Sequence, residues 1–379
     1  MPAVAPDVAA VFHSAANASL GCRQVRPLFA PQSCHHFSTE YFERRHLLTR
    51  DTGFDTVLSS EGLFRAAAHW QFKVAQDHSQ ARLLKPGSFS HDAEWADGSL
   101  LDGPAMRAAL ASNRTVVLHN MELYWWPVGA LCMALMRTFG VYSQANVYYS
   151  PPGLPSAVHA HQDAQSVFII QCEGRKTWQL LTPPQRWRLR FNQRGKGGDV
   201  APEGELGQPI AQHTLEPGDV LFVPRGMYHR TSTEQATDEA SSAGGGAAAD
   251  PRASLHVTVG VETDTDGYTW LALLKAAAAA IGLENAESRL EAALWEDERL
   301  REALPLRVCR YGESFGRSEP SGGAWVARGR DLLAKHLGVR PEADRLREAL
   351  DTALRTRQEH VEQKRLQLLE FMGMSAPLM

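Results

Sequence analysis

Between residues 145 and 261 short apolar or β-branched runs alternate with tight-turn residues. Asn146–Tyr149, Ser166–Gln171, Lys176–Leu181, Asp219–Val223, Tyr228–Ser232 and Leu255–Val261 read as strands. Pro151-Pro152-Gly153, Glu173-Gly174, Pro217-Gly218-Asp219 and Pro224-Arg225-Gly226 punctuate them. Many short strands with turn residues between them predict an all-β barrel or a double-sheet roll. Two polar insertions, Gln193–Pro209 and Thr233–Ala253, interrupt it. The second, with Ser241-Ser242-Ala243-Gly244-Gly245-Gly246, is too poor in apolar residues to pack and is expected as a flexible loop.

Upstream, a helical rhythm runs from Phe37 to Leu48, with an N-cap expected within Ser38–Tyr41. A second helix is expected over Ser59–His69, a buried strand over Thr115–Leu118, and an apolar helix over Trp126–Phe139 beneath the barrel. Beyond Tyr268 the spacing turns helical again, over Trp270–Ile281, Ala286–Leu300 and Glu342–Met372. The last of these carries an imperfect apolar stripe of Leu346, Leu350, Leu354, Val361, Leu368 and Leu369. Such a stripe either folds back on the barrel or meets a second copy of the chain. The domain reading is a flexible leader over 1–30, a catalytic domain over 31–265 with a flexible insertion near 233–253, and a helical, dimerisation-type region over 266–379.

Composition adds exclusions. The chain has 379 residues, 44% hydrophobic and 22% charged, with a formal net charge of −4. That is enough chain for a full core, and its charge gives no bulk attraction to nucleic acid. No apolar run is long enough for a membrane-spanning helix. The five cysteines, Cys22, Cys34, Cys132, Cys172 and Cys309, show no C-x-x-C pair, which reads as reduced intracellular thiols, with the compartment left open between cytoplasm, nucleus and organelle.

The chemistry lies in Val158-His159-Ala160-His161-Gln162-Asp163. On an extended backbone, residues two apart point to the same side, so His161 and Asp163 can offer an imidazole and a carboxylate to one metal ion. His229 is the candidate for a second imidazole, because the preceding turn, strand and turn return the chain to the same mouth. His159 and His213 are competing imidazoles. Two histidines and one carboxylate leave coordination positions open, which suits Fe(II) with a bidentate 2-oxo acid and dioxygen better than zinc, calcium or magnesium. Lys176 follows the Glu173-Gly174 turn and is the candidate cation for the distal carboxylate of 2-oxoglutarate, with Arg175 the alternative.

The segments Asn146-Val147-Tyr148-Tyr149-Ser150-Pro151-Pro152-Gly153, His161-Gln162-Asp163 and Val167–Trp178 together resemble the JmjC/cupin-like ribosomal oxygenases. The resemblance spans roughly residues 37 to 261. It implies a double-stranded β-helix of mixed α and β class, flanking helices, a C-terminal helical region and a possible homodimer. It implies an enzyme using Fe(II) and 2-oxoglutarate to hydroxylate histidine or arginine on a ribosomal protein, with no membrane and no direct nucleic-acid contact. Carried over, His161, Asp163 and His229 match the iron ligands, Lys176 the co-substrate lysine, and Asn146, Tyr148 and Ser254 positions lining the pocket. Rival readings are a histone lysine demethylase, a metal-binding cupin that does not use 2-oxoglutarate, and a non-catalytic scaffold. The last should have lost a ligand, and this chain keeps all three.

Overall fold

The computed structural model describes residues 24–75, 80–88, 92, 95–182, 207–234, 253–263, 267–304 and 322–371. The two expected insertions fall mainly on 193–206 and 235–252, outside the described residues, as do residues 1–23 of the expected leader.

Eleven strands form two facing antiparallel sheets among these residues. The larger holds β1 (Leu47–Thr49), β2 (Ala81–Leu84), β3 (Thr115–Leu118), β4 (Ser143–Ser150), β6 (Ser166–Glu173), β9 (Val220–Val223) and β11 (Ser254–Val261), in the order β1-β9-β6-β11-β4-β3-β2. The smaller holds β5 (Val158–His161), β7 (Lys176–Leu181), β8 (Pro209–Leu215) and β10 (Tyr228–Ser232), in the order β5-β10-β7-β8. This is the double-stranded β-helix expected from the sequence.

Strand alternation sorts the side chains into two cores. On β6, Phe168 and Ile170 face the helices, while Val167 and Ile169 face the space between the sheets. The outer core packs Phe37, Phe139, Phe168 and Phe222 together, with Phe37 4.8 Å edge-on to Phe222 and 5.6 Å from Phe168. Seven longer helices flank the sheets: α1 (Ser60–Trp70), α2 (Gly103–Ala111), α3 (Trp126–Phe139), α4 (Trp270–Ala280), α5 (Ala286–Ala292), α6 (Gly322–Leu337) and α7 (Ala343–Phe371). Ser59, Asp102 and Thr269 cap α1, α2 and α4 by accepting from backbone N–H groups of the first turn. No described helix is long and apolar enough to cross a membrane.

Several expectations need correction. Helix over Phe37–Leu48 stops at Tyr41; Glu43 adopts a left-handed φ of 57°, and Leu47 and Leu48 join β1, paired with β9. The cap is Ser33, while the Ser38 and Thr39 hydroxyls bond back to the His35 carbonyl. The leader ends earlier than residue 30, because Val25, Leu28 and Phe29 are fully buried. Ala286–Leu300 breaks into α5, a 3₁₀ turn and the short helix Glu298–Arg301 around the buried Asp297, which accepts from Arg299, Lys335 and His336. Cys34 is disulfide-bonded, since pairing is set by proximity in space and not by spacing; Cys132 and Cys172 are free and buried.

The stripe on α7 folds back on its own chain. Leu346, Leu350, Val361, Leu368 and Leu369 are buried, Leu354 is half-buried, and the helix packs on α4 and α3. The outer core therefore runs without a break from the barrel into the C-terminal helices.

Candidate functional site

β5 and β10 are hydrogen-bonded neighbours with His161 directly opposite His229. Cross-strand partners project to the same face, so pairing alone places two imidazoles side by side. Their ring centroids lie 4.2 Å apart, and both residues are buried. Asp163 follows β5 by two residues; its Oδ1 lies 3.8 Å from His161 Nε2 and its Oδ2 3.6 Å from His229 Nε2. One ligand atom from each of the three falls within 4.8 Å of the others, and among the described residues this is the one such grouping of histidine, cysteine and carboxylate side chains.

The donor chemistry fits a divalent first-row metal. Donors about 2.1 Å from one ion at right angles lie about 3 Å apart, so the trio needs to close by roughly an ångström. His229 Nδ1 lies 3.0 Å from the Met227 carbonyl, which can only accept. The proton is therefore on Nδ1, and the Nε2 lone pair is turned toward Asp163 and His161.

The trio opens into a cavity between the sheets. Tyr148, His256 and Thr258 line it from the larger sheet, Lys176, Trp178 and Thr231 from the smaller, with Val158, Val167 and Ile169 as its apolar wall. Lys176 is 1% exposed and its Nζ donates to Ser150 Oγ at 3.0 Å, which in turn is 3.1 Å from Thr115 Oγ1. Arg175, the alternative cation, points outward and pairs with Glu216 at 2.8 Å. The buried Trp178 Nε1 and Thr231 Oγ1 have no hydrogen-bond partner among the described residues. These two polar groups, beside a buried lysine and the apolar Val158, Val167 and Ile169, make a cavity suited to a carboxylate.

The other sequence candidates fall elsewhere. Tyr148 lines the cavity, its ring stacked on His256 at 5.0 Å and 3°. Asn146 and Ser254 share strand faces with the lining residues but stand outside it. Asn146 Oδ1 lies 3.2 Å from His119 Nδ1, and the fully buried Ser254 Oγ accepts from Gln171 Nε2 at 2.9 Å. His256 and Thr258, two and four residues along β11, take the places expected for Ser254. His213 sits on β8, with its ring 5.4 Å from that of His46 and its basicity lowered first by burial. The side chain of His159 lies outside the described residues.

Residues 127–249 match the JmjC domain family, a span that includes the His161, Asp163, Lys176 and His229 positions. A relative named bifunctional lysine-specific demethylase and histidyl-hydroxylase NO66, from Drosophila mojavensis, is 29% identical over 208 residues, covering 55% of this chain and 20% of the relative. The protein of the same name from Drosophila erecta is 33% identical over 125 residues, 33% of this chain and 18% of its own length. The chain thus spans only about a fifth of these relatives. Among solved structures, the ribosomal oxygenase YcfD from Escherichia coli aligns over 83% of this chain and 69% of its own, at 14% identity and a TM-score of 0.40.

Proposed function

We propose, from the premise that residues 127–249 are a JmjC domain, that the chain is an Fe(II)- and 2-oxoglutarate-dependent oxygenase hydroxylating a protein side chain, a histidine or arginine of a ribosomal protein. The observation that carries the reading is the His161, Asp163 and His229 trio opening into the same cavity as the buried Lys176. His161, Asp163 and His229 would hold Fe(II), and Lys176 would hold the distal carboxylate of 2-oxoglutarate. When bound, iron and co-substrate supply dioxygen activation coupled to decarboxylation of 2-oxoglutarate to succinate and CO₂.

The chain's own residues do the rest. The Met227 carbonyl keeps His229 in the tautomer that presents Nε2. Trp178 Nε1 and Thr231 Oγ1 are placed to donate to a carboxylate in the cavity. Val158, Val167 and Ile169 give the cavity apolar lining that disfavours water. The proposal includes pairing with a second copy through the C-terminal helices. Its support is the apolar surface that Trp70, Leu366 and Phe371 leave exposed at the C-terminal end of α7.

The test is succinate formation by purified full-length chain with Fe(II), ascorbate and 2-oxoglutarate, followed by mass spectrometry of ribosomal proteins incubated with it. Slow succinate release without substrate, abolished by Asp163→Ala, and a mass gain of about 16 Da on histidine or arginine are expected. Wild type and Asp163→Ala equally inactive, with no iron bound, would sink the reading. A second reading, lysine demethylation, draws on the double activity in the relatives' name. It requires formaldehyde release from methyl-lysine peptides and a preference for them over unmodified ones.

A further inference from the structure

The turn between β9 and β10, Pro224 to Met227, touches the metal trio twice through its backbone. Gly226 N donates to the Asp163 carbonyl at 3.0 Å, and the Met227 carbonyl accepts from His229 Nδ1 at 3.0 Å. A third tie, Arg225 N to Ser166 Oγ at 3.1 Å, fixes the turn to the start of β6. The position of this turn therefore sets both the tautomer of His229 and the path of the chain through Asp163.

The turn is gripped from outside the barrel. Arg225 donates through Nε and Nη2 to both carboxylate oxygens of Glu43, at 2.7 and 3.0 Å, and through Nη2 to the Arg301 carbonyl at 2.5 Å. Glu43 also accepts from Ala303 N at 2.9 Å and from Thr263 Oγ1 at 3.2 Å. The Arg225 and Glu43 side chains are 1% and 11% exposed. One two-toothed ion pair thus joins the N-terminal segment, the turn before β10, the chain after β11 and the end of the short helix Glu298–Arg301 in the C-terminal helical region.

A buried ion pair is poor at adding stability, because desolvating both charges offsets their attraction; what it supplies is directional geometry. We infer that the Glu43–Arg225 pair is a positioning device through which the C-terminal helical region holds Asp163 and His229 in metal-binding geometry. The inference rests on the proposed metal site. It adds that residues remote from the cavity tune that site by the route by which groups behind a ligand orient it.

Co(II) binding to the full-length chain tests it, followed by calorimetry and by the visible ligand-field spectrum, alongside thermal unfolding. Glu43→Gln keeps the shape of its side chain and loses the charge, Arg225→Lys keeps the charge and loses the guanidinium fork, and each removes the two-toothed pair. Both should lose about tenfold or more in Co(II) affinity, the range for residues supporting a ligand, and shift the spectrum. Asp92→Asn is the control, since Asp92 is a buried partner of Lys85 and Arg114, which flank β2 and β3 at the opposite end of the larger sheet from β9. It should lower the melting temperature and leave affinity and spectrum unchanged. Folded Glu43→Gln and Arg225→Lys with wild-type affinity and spectrum would overturn the inference, as would an equal affinity loss in Asp92→Asn. If both charge variants fail to fold, Thr263→Val removes one bond to Glu43 and should weaken Co(II) by about two- to threefold; unchanged affinity there overturns the inference too. A wild type that binds no Co(II) at all refutes the proposed function instead.

Discussion

Replacing Lys176 by methionine separates its role toward co-substrate from any role in the fold. Lys176 lines the cavity, is 1% exposed, and its Nζ donates to Ser150 Oγ at 3.0 Å. Methionine is unbranched and one atom shorter, so it fills most of the same volume and no large void is left. Ser150 keeps Thr115 Oγ1 at 3.1 Å as a partner, so the stability change should stay within about 1 kcal/mol. A charge-assisted hydrogen bond to a carboxylate in a dry cavity is worth about 2–3 kcal/mol, which predicts a rise of roughly 30- to 150-fold in KM for 2-oxoglutarate. The assay is succinate release against 2-oxoglutarate concentration, with thermal unfolding in parallel. A KM within about threefold of wild type, with a matching melting temperature, would show that Lys176 does not anchor the co-substrate.

Thr231→Val removes a buried hydroxyl that has no hydrogen-bond partner among the described residues. It should unfold at or above the wild-type temperature while raising KM for 2-oxoglutarate by about tenfold; a fall in stability with KM unchanged would assign Thr231 to the fold alone. Glu122 is 2% exposed, and burial first, then the charge of Glu262, pushes its carboxyl from 4.5 up to about 7 despite the hydrogen bond from Ala145 N at 2.8 Å. Because the folded value is the higher one, its contribution is full below pH 4.5 and is lost as pH rises to about 7, a change of roughly 3 kcal/mol. Glu122→Gln should lack this loss, so the stability difference between variant and wild type in urea should grow over that window. A difference independent of pH would contradict it.

How much of this was legible in the sequence depended on how local each signal is. His161 and Asp163 are two residues apart on extended chain, and His229 follows a turn, a strand and a turn, so spacing offered the trio, with His159 and His213 left as competitors. Thr231 was within reach by the same rule, two residues beyond His229 on one strand face. Ser254 was chosen on the correct face of β11, but which depth along a strand meets the cavity is decided by how the sheets stack, and His256 and Thr258 sit at that depth. Strand β8 buries only Leu215 and forms because β7 offers it an edge, from Lys176 opposite Leu215 to Leu181 opposite Pro209. Glu43 and Arg225 are 182 positions apart, and no periodicity or motif links them. Burial of Val25, Leu28 and Phe29 likewise comes from the core they meet and not from a pattern of their own.

The central claim is that His161, Asp163 and His229 form one metal site serving 2-oxoglutarate. Equilibrium dialysis of the full-length chain against Fe(II) without oxygen, with and without 2-oxoglutarate, tests it most directly. One Fe(II) per chain is predicted, with metal-dependent binding of one 2-oxoglutarate, and single alanine substitutions at His161, Asp163 or His229 should each abolish both. Iron retained at wild-type stoichiometry in all three variants, or 2-oxoglutarate bound equally without metal, would contradict the account.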